Sequence, residues 1–112
     1  MKILLLGKTG LLGQALFPAL KTRYRVIAPT HNECDITDLN SVKDVIEKEK
    51  PDMVINAAGY TKVDDAESHK EEAFKLNSIA VAGLLKILAS KNIALVHFST
   101  DYVFDGKKKE GY

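Results

Sequence analysis

Tryptophan is absent from this chain, cysteine occurs once, and proline occurs only three times in 112 residues. A lone cysteine, Cys34, excludes an intrachain disulfide framework and suits a reducing compartment. Charge of one sign is also lacking: 16 Lys and Arg against 15 Asp and Glu leave a net charge of +1, which gives no general reason to expect a nucleic-acid partner. No apolar stretch is long enough to span a bilayer, and the N-terminal run Ile3-Leu4-Leu5-Leu6 is too short for a signal peptide. His31, His69 and His97 stand at no metal-ligand spacing from one another or from Cys34, so no metal site is expected. Internal repeats, low-complexity tracts and linkers are missing as well. These absences leave a soluble, cytoplasmic protein with no nucleic-acid and no membrane partner as the expectation.

With 46% hydrophobic residues the chain can bury one core and is most simply a single domain. Apolar runs alternate with helical patterns along it. Residues 2–6 read as a strand, 12–20 as a helix with Leu12, Ala15, Leu16 and Leu20 inward, and 24–28 as a second strand. A helix over 39–49 follows, with Asp38 as its N-cap and Pro51 marking its end. Met53-Val54-Ile55-Asn56 is a third strand, and 70–91 is a long helix with Ala73, Ile79, Ala80, Leu84, Ile87 and Leu88 inward. Ala94 to Phe98 is a fourth strand. Strands separated by helices imply an α/β doubly wound parallel sheet with right-handed crossovers, here with about four strands.

Between the first strand and the first helix lies "GKTGLLG". Its Gly-Lys-Thr triplet suggests a nucleoside-triphosphate loop, but that loop needs a glycine five places before the Gly-Lys pair, where Lys2 stands. What remains is a dinucleotide turn. Gly7 can turn sharply off the strand, Gly10 lets the backbone approach a pyrophosphate, and Gly13 lets the helix pack close to the sheet. The helix N-terminus then faces the anion with free N–H groups and a partial positive charge. The bland alternative is a glycine-rich strand-to-helix turn with no ligand.

In such a sheet, ligands sit beyond the carboxyl ends of the strands. The segments there are Gly7 to Gly13, Pro29 to Ile36, Asn56 to Thr61 and Ser99 to Gly106. Ala57, Ala58 and Gly59 leave room for a flat ligand, or else serve tight helix–sheet packing. "STDYVFDG" is a dense polar and aromatic cluster that a plain strand-to-loop transition does not need. His97, inside a strand, reads as a packed or hydrogen-bonded structural residue. Asp64, Asp65 and Glu67 read as helix N-terminal acids rather than an acid/base group, and Lys107-Lys108-Lys109 as a solvated loop.

The spacing G-x-x-G-x-x-G, together with "CDITD", "NAAGYTKVDDAE", the Leu76-Asn77 pair and "STDYVFDG", resembles the dTDP-4-dehydrorhamnose reductases, which are extended short-chain dehydrogenase/reductases. The resemblance spans nearly the whole chain. It implies a Rossmann-type doubly wound sheet with strand order 3-2-1-4, and reduction of a 4-keto nucleotide sugar by NADPH or NADH. Carried over by position, Gly7, Gly10, Leu11, Leu12 and Gly13 hold the pyrophosphate, and Asp35 and Ile36 border the adenine. Ala58, Gly59, Tyr60 and Thr61 follow the ribose and nicotinamide side. Thr100 is the catalytic hydroxyl, with Asp101 and Tyr102 near the sugar nucleotide. Thr30 and His31 stand nearest a 2′-phosphate, since no acid precedes Glu33 after the second strand.

One feature of that family is missing. Its proton donor is a Tyr with a Lys four residues on, and no tyrosine of this sequence is followed by such a lysine. The expectation is therefore that residues 1–112 are the N-terminal part of a dinucleotide-binding domain, without later strands or substrate domain and inactive alone. The edge of strand four would then be left open to self-association. A non-catalytic alternative is a dinucleotide-binding regulator resembling the β subunit of methionine adenosyltransferase.

Overall fold

The computed structural model describes residues 1–58, 70–71 and 78–98. The elements in chain order are β1 (Lys2–Leu6), α1 (Leu11–Lys21), β2 (Arg25–Ile27), α2 (Leu39–Glu49), β3 (Met53–Asn56), α3 (Ala80–Ser90) and β4 (Ala94–His97). All strand pairs are parallel, with Leu4 opposite Ile27 and Val54, and Ile55 opposite Val96. The α/β doubly wound class expected from the sequence is what forms.

The expected strand order 3-2-1-4 is corrected. The sheet runs β2-β1-β3-β4, so the third strand lies beside the first and not beside the second. Burial explains the difference. In β1 the residues Ile3 to Leu6 are at most 3% exposed, and in β3 Val54 and Ile55 are 0% and 7% exposed, so both strands are apolar and covered on both faces, as in the centre of a sheet. β2 has three residues, begins with exposed Arg25 and is only half-buried at Val26 and Ile27, which suits an edge.

The chain thus leaves β1 on one side through α1 and crosses back to the other through α2. Right-handed crossovers in opposite directions put the two helices on opposite faces. Ile3, Leu5 and Ile55 pack against Leu16, Phe17 and Leu20 of α1 on one face. On the other, Leu4, Leu6 and Val54 meet Val42 and Ile46 of α2 and Leu84 and Leu88 of α3. Each such fully buried side chain contributes roughly 1.5–3 kcal/mol.

Local signals place the helix ends. The Asp38 carboxylate accepts the Asn40 N–H at 3.1 Å and so caps α2 as expected. Lys50 closes α2 in the left-handed conformation, φ 47°, before Pro51 ends it. In α1 the inward face is Gly13, Leu16, Phe17 and Leu20, so Leu12 and Ala15 of the expected face are exposed instead. Phe17 supplies the burial that Ala15 was expected to give. In α3, Ala80, Leu84 and Leu88 are buried and Ile87 packs against them as expected, while Ile79, just before the helix, is 57% exposed. Ala73 lies outside the described residues.

Candidate functional site

The corrected order moves the topological switch point. With neighbours leaving in opposite directions at β1 and β3, the crevice that receives ligands in such sheets lies at the carboxyl ends of those two strands. Gly7 and the Ala57-Ala58 segment meet there. Gly7 has φ 84°, and a Cβ on it would stand 2.6 Å from the Ala57 carbonyl carbon, so glycine is required by conformation and by space alike. The Ala57 N–H donates to the Leu6 carbonyl at 2.9 Å, extending the β1–β3 pairing into the loops.

The glycines of the loop are not equivalent. Gly13 is buried, and a Cβ there would stand 2.7 Å from the carbonyl carbon of Gly7 and from the Lys8 Cα. Gly10 is different: its φ is −74°, and among the described residues an added Cβ would meet only the Gly7 carbonyl oxygen, at 3.6 Å, an ordinary contact. Among the described residues no clash demands glycine at position 10. It caps α1 without any side-chain bond, its N–H donating to the Gly7 carbonyl at 3.2 Å and its carbonyl accepting the Gln14 N–H at 2.9 Å. Helix geometry leaves the N–H groups of Leu11, Leu12 and Gly13 without an intrahelical acceptor, aligned with the positive end of the dipole. No acidic residue occupies that first turn, and Leu11 is 92% exposed beside it.

The segment after β2 forms a second wall. Lys8, Ala28, Pro29, Glu33 and Val45 are among the residues lining a cleft of about 430 Å³. The Glu33 carboxylate accepts the Thr30 N–H at 2.6 Å. That bond, with Lys8 adding to it, holds the Glu33 carboxyl below the ordinary glutamate range. His31 is largely exposed, its Nε2 4.0 Å from the Asp35 carboxylate. The same carboxylate accepts the Thr37 N–H at 2.9 Å and the Thr37 hydroxyl at 2.7 Å. Cys34 and Ile36 turn into the core, at 6% and 3% exposure. Burial pushes the Cys34 thiol up.

At the third and fourth strand ends, Asn56 is fully buried. Its Oδ1 accepts the Ala58 N–H at 3.0 Å, and its Nδ2 lies 3.2 Å from His97 Nδ1 across the β3–β4 pair. The structure thus brings together Gly7, Gly10, Leu11, Leu12, Gly13 and Ala58, and places Thr30, His31, Asp35 and Ile36 on the adjoining β2 side. Gly59, Tyr60, Thr61, Thr100, Asp101 and Tyr102 lie outside the described residues. Sequence reasoning passed over Lys8 as a site residue and the Asn56–His97 pair. The signal for the pair was a lone carboxamide ending an apolar central strand, where a buried polar group must find a partner.

Among the described residues no group of three or more His, Cys, Asp or Glu is placed to hold a metal ion, and no helix is long and apolar enough to cross a membrane. The chain is 41% identical over 113 residues to a dTDP-4-dehydrorhamnose reductase of Aggregatibacter actinomycetemcomitans, a match covering 99% of this chain and 38% of the relative. It is 40% identical over 110 residues to the dTDP-4-dehydrorhamnose reductase of Escherichia coli, covering 95% of this chain and 36% of the relative. The crystal structure of a dTDP-4-dehydrorhamnose reductase from Bacillus anthracis in complex with NADP superposes with a TM-score of 0.92 at 33% identity, over 99% of this chain and 40% of that one. The chain therefore spans well under half the length of these relatives. A family model described as the RmlD substrate binding domain matches residues 1–112, and the chain belongs to that family.

Proposed function

We propose that the protein carrying this chain reduces the 4-keto group of a nucleotide-linked deoxysugar with NADPH or NADH, converting dTDP-4-dehydrorhamnose to dTDP-L-rhamnose in the cytoplasm. On this reading residues 1–112 are the N-terminal, cofactor-binding part of a Rossmann domain. The observation that carries the reading is Gly10, where neither φ nor any neighbouring atom of the described residues requires glycine, beside three helix N-terminal amides. A pyrophosphate approaching the backbone uses that space and those donors. The relatives described above are named as reductases, which favours this reading over the regulatory one.

When bound, the cofactor supplies the hydride. The amides of Leu11, Leu12 and Gly13 hold its pyrophosphate, and Thr30, His31, Asp35 and Ile36 border the adenosine end. Ala58, Gly59, Tyr60 and Thr61 orient the ribose and nicotinamide side. The Thr100 hydroxyl donates a hydrogen bond to the substrate carbonyl oxygen as negative charge gathers on it, with Asp101 and Tyr102 against the sugar nucleotide. The proton donor is assigned to residues outside 1–112, since no tyrosine here has a lysine four places on.

The same reading leaves the far edge of β4 unpaired among the described residues, a surface open to a second copy of the chain.

Steady-state kinetics of the intact protein on dTDP-4-dehydrorhamnose, with cofactor affinity measured separately, test the assignment. Thr100→Val lowers kcat by about 10²–10³-fold with little change in cofactor affinity. Full activity in that variant overturns the role given to Thr100.

A further inference from the structure

Asn56 presents two different atoms to two neighbours, and only one orientation satisfies both. The Ala58 N–H can only donate, so the atom 3.0 Å from it is the carboxamide oxygen. The Nδ2 group is thereby turned toward His97, 3.2 Å from Nδ1. A carboxamide nitrogen can only donate, so His97 Nδ1 accepts and the ring proton sits on Nε2. The carboxamide is fully buried, whereas the His97 residue itself is exposed. Ala58 in turn belongs to the segment that closes against Gly7.

We propose that His97 is a positioning residue for the cofactor segment: through Asn56 it fixes the direction of the Ala58 amide at the β1–β3 crevice. The inference rests on the cofactor reading above for its functional consequence, but the relay itself is a property of the free protein. Without an acceptor at His97, Nδ2 loses its partner among the described residues, and the carboxamide plane that aims Oδ1 at the Ala58 N–H is held from that side only. A buried donor left unsatisfied loosens the segment. Asparagine at position 97 places its Oδ1 near the position of the imidazole Nδ1 and keeps an acceptor there. Phenylalanine fills the ring volume and keeps none.

The test uses the intact protein with His97→Phe and His97→Asn. Amide hydrogen exchange at Ala58, read by NMR without cofactor, speeds up by about tenfold in His97→Phe and returns to within a few-fold of wild type in His97→Asn. NADPH titration follows the same order, with affinity about tenfold weaker in His97→Phe and recovered in His97→Asn. A merely structural role lowers the melting temperature in both variants together and leaves the Ala58 exchange ratio between them near one, and that result overturns the relay. Unchanged Ala58 exchange in a folded His97→Phe protein also overturns it. If exchange responds as stated while wild-type protein fails to bind NADPH, the relay stands and the cofactor reading falls.

Discussion

Gly13 packs so closely under Gly7 that a Cβ on it would stand 2.7 Å from the Gly7 carbonyl carbon, whereas among the described residues one on Gly10 would meet only the Gly7 carbonyl oxygen, at 3.6 Å. The two glycines are therefore held by different constraints, and on the cofactor reading Gly10 serves the ligand. Gly13→Ala is expected to destabilise the fold by about 1–3 kcal/mol through backbone displacement. Gly10→Ala is expected to stay within about 0.5 kcal/mol of wild type in thermal unfolding, yet to weaken NADPH binding in a direct titration. Wild-type affinity in Gly10→Ala removes the pyrophosphate from this loop.

Cofactor choice follows from what stands after β2. Preference for NADH comes from an acid that takes the ribose 2′-OH and repels a 2′-phosphate. Here Pro29-Thr30-His31-Asn32 carries none, and the first acid, Glu33, has its carboxylate on the Thr30 N–H at 2.6 Å. NADPH should bind at least as tightly as NADH when both are titrated against the intact protein. A clear NADH preference contradicts the placement of Thr30 and His31.

That same Glu33 bond has a pH signature. The folded-state pKa of Glu33 is depressed, chiefly by the Thr30 N–H and further by Lys8. Its contribution to holding the 30–33 turn is therefore complete above the ordinary glutamate range and is lost as pH falls through the lowered folded value. The Thr30 amide resonance should move with acidification in wild type and stay put in Glu33→Gln. A Thr30 resonance that still titrates in Glu33→Gln assigns the effect to another group.

β4 pairs only with β3 among the described residues, and Val96 and Phe98 beside that edge are 38% and 45% exposed. Parallel strands are ordinarily covered on both faces and paired on both sides in the middle of a sheet. Residues 1–112 alone should self-associate in sedimentation at rising concentration, and Val96→Lys should reduce it. A well-folded monomer at high concentration refutes this.

Much of the architecture was legible because it is local. The spacing of apolar residues located β1, α2 and β3, and Asp38 and Pro51 bracketed α2 as a cap and a stop. Neighbour choice was not legible in the same way, since whether β3 joins β1 or β2 depends on both of its faces being buried, and apolar periodicity marks the burial without naming the partner. The glycine turn was readable as a candidate site, yet that Gly10 differs from its neighbours shows only in the space left around it by the described residues. The Asn56–His97 contact spans 41 residues of sequence, and nothing near either residue announces the other.

The strand order also sets a timetable. β1 is flanked by β2, some twenty residues downstream, and by β3, some fifty residues downstream, with Leu4 opposite Val54 and the Lys2 N–H bonded to the Asp52 carboxylate at 2.7 Å. As the chain emerges from the ribosome at about 5–20 residues per second, β1, α1 and β2 appear first with the inner strand still bare on its β3 side. The most apolar segment of the protein therefore waits several seconds for its partner. Slow codons or a chaperone acting between residues 30 and 56 would act on that interval, and a strand beside β2 instead would have left β1 exposed for longer still.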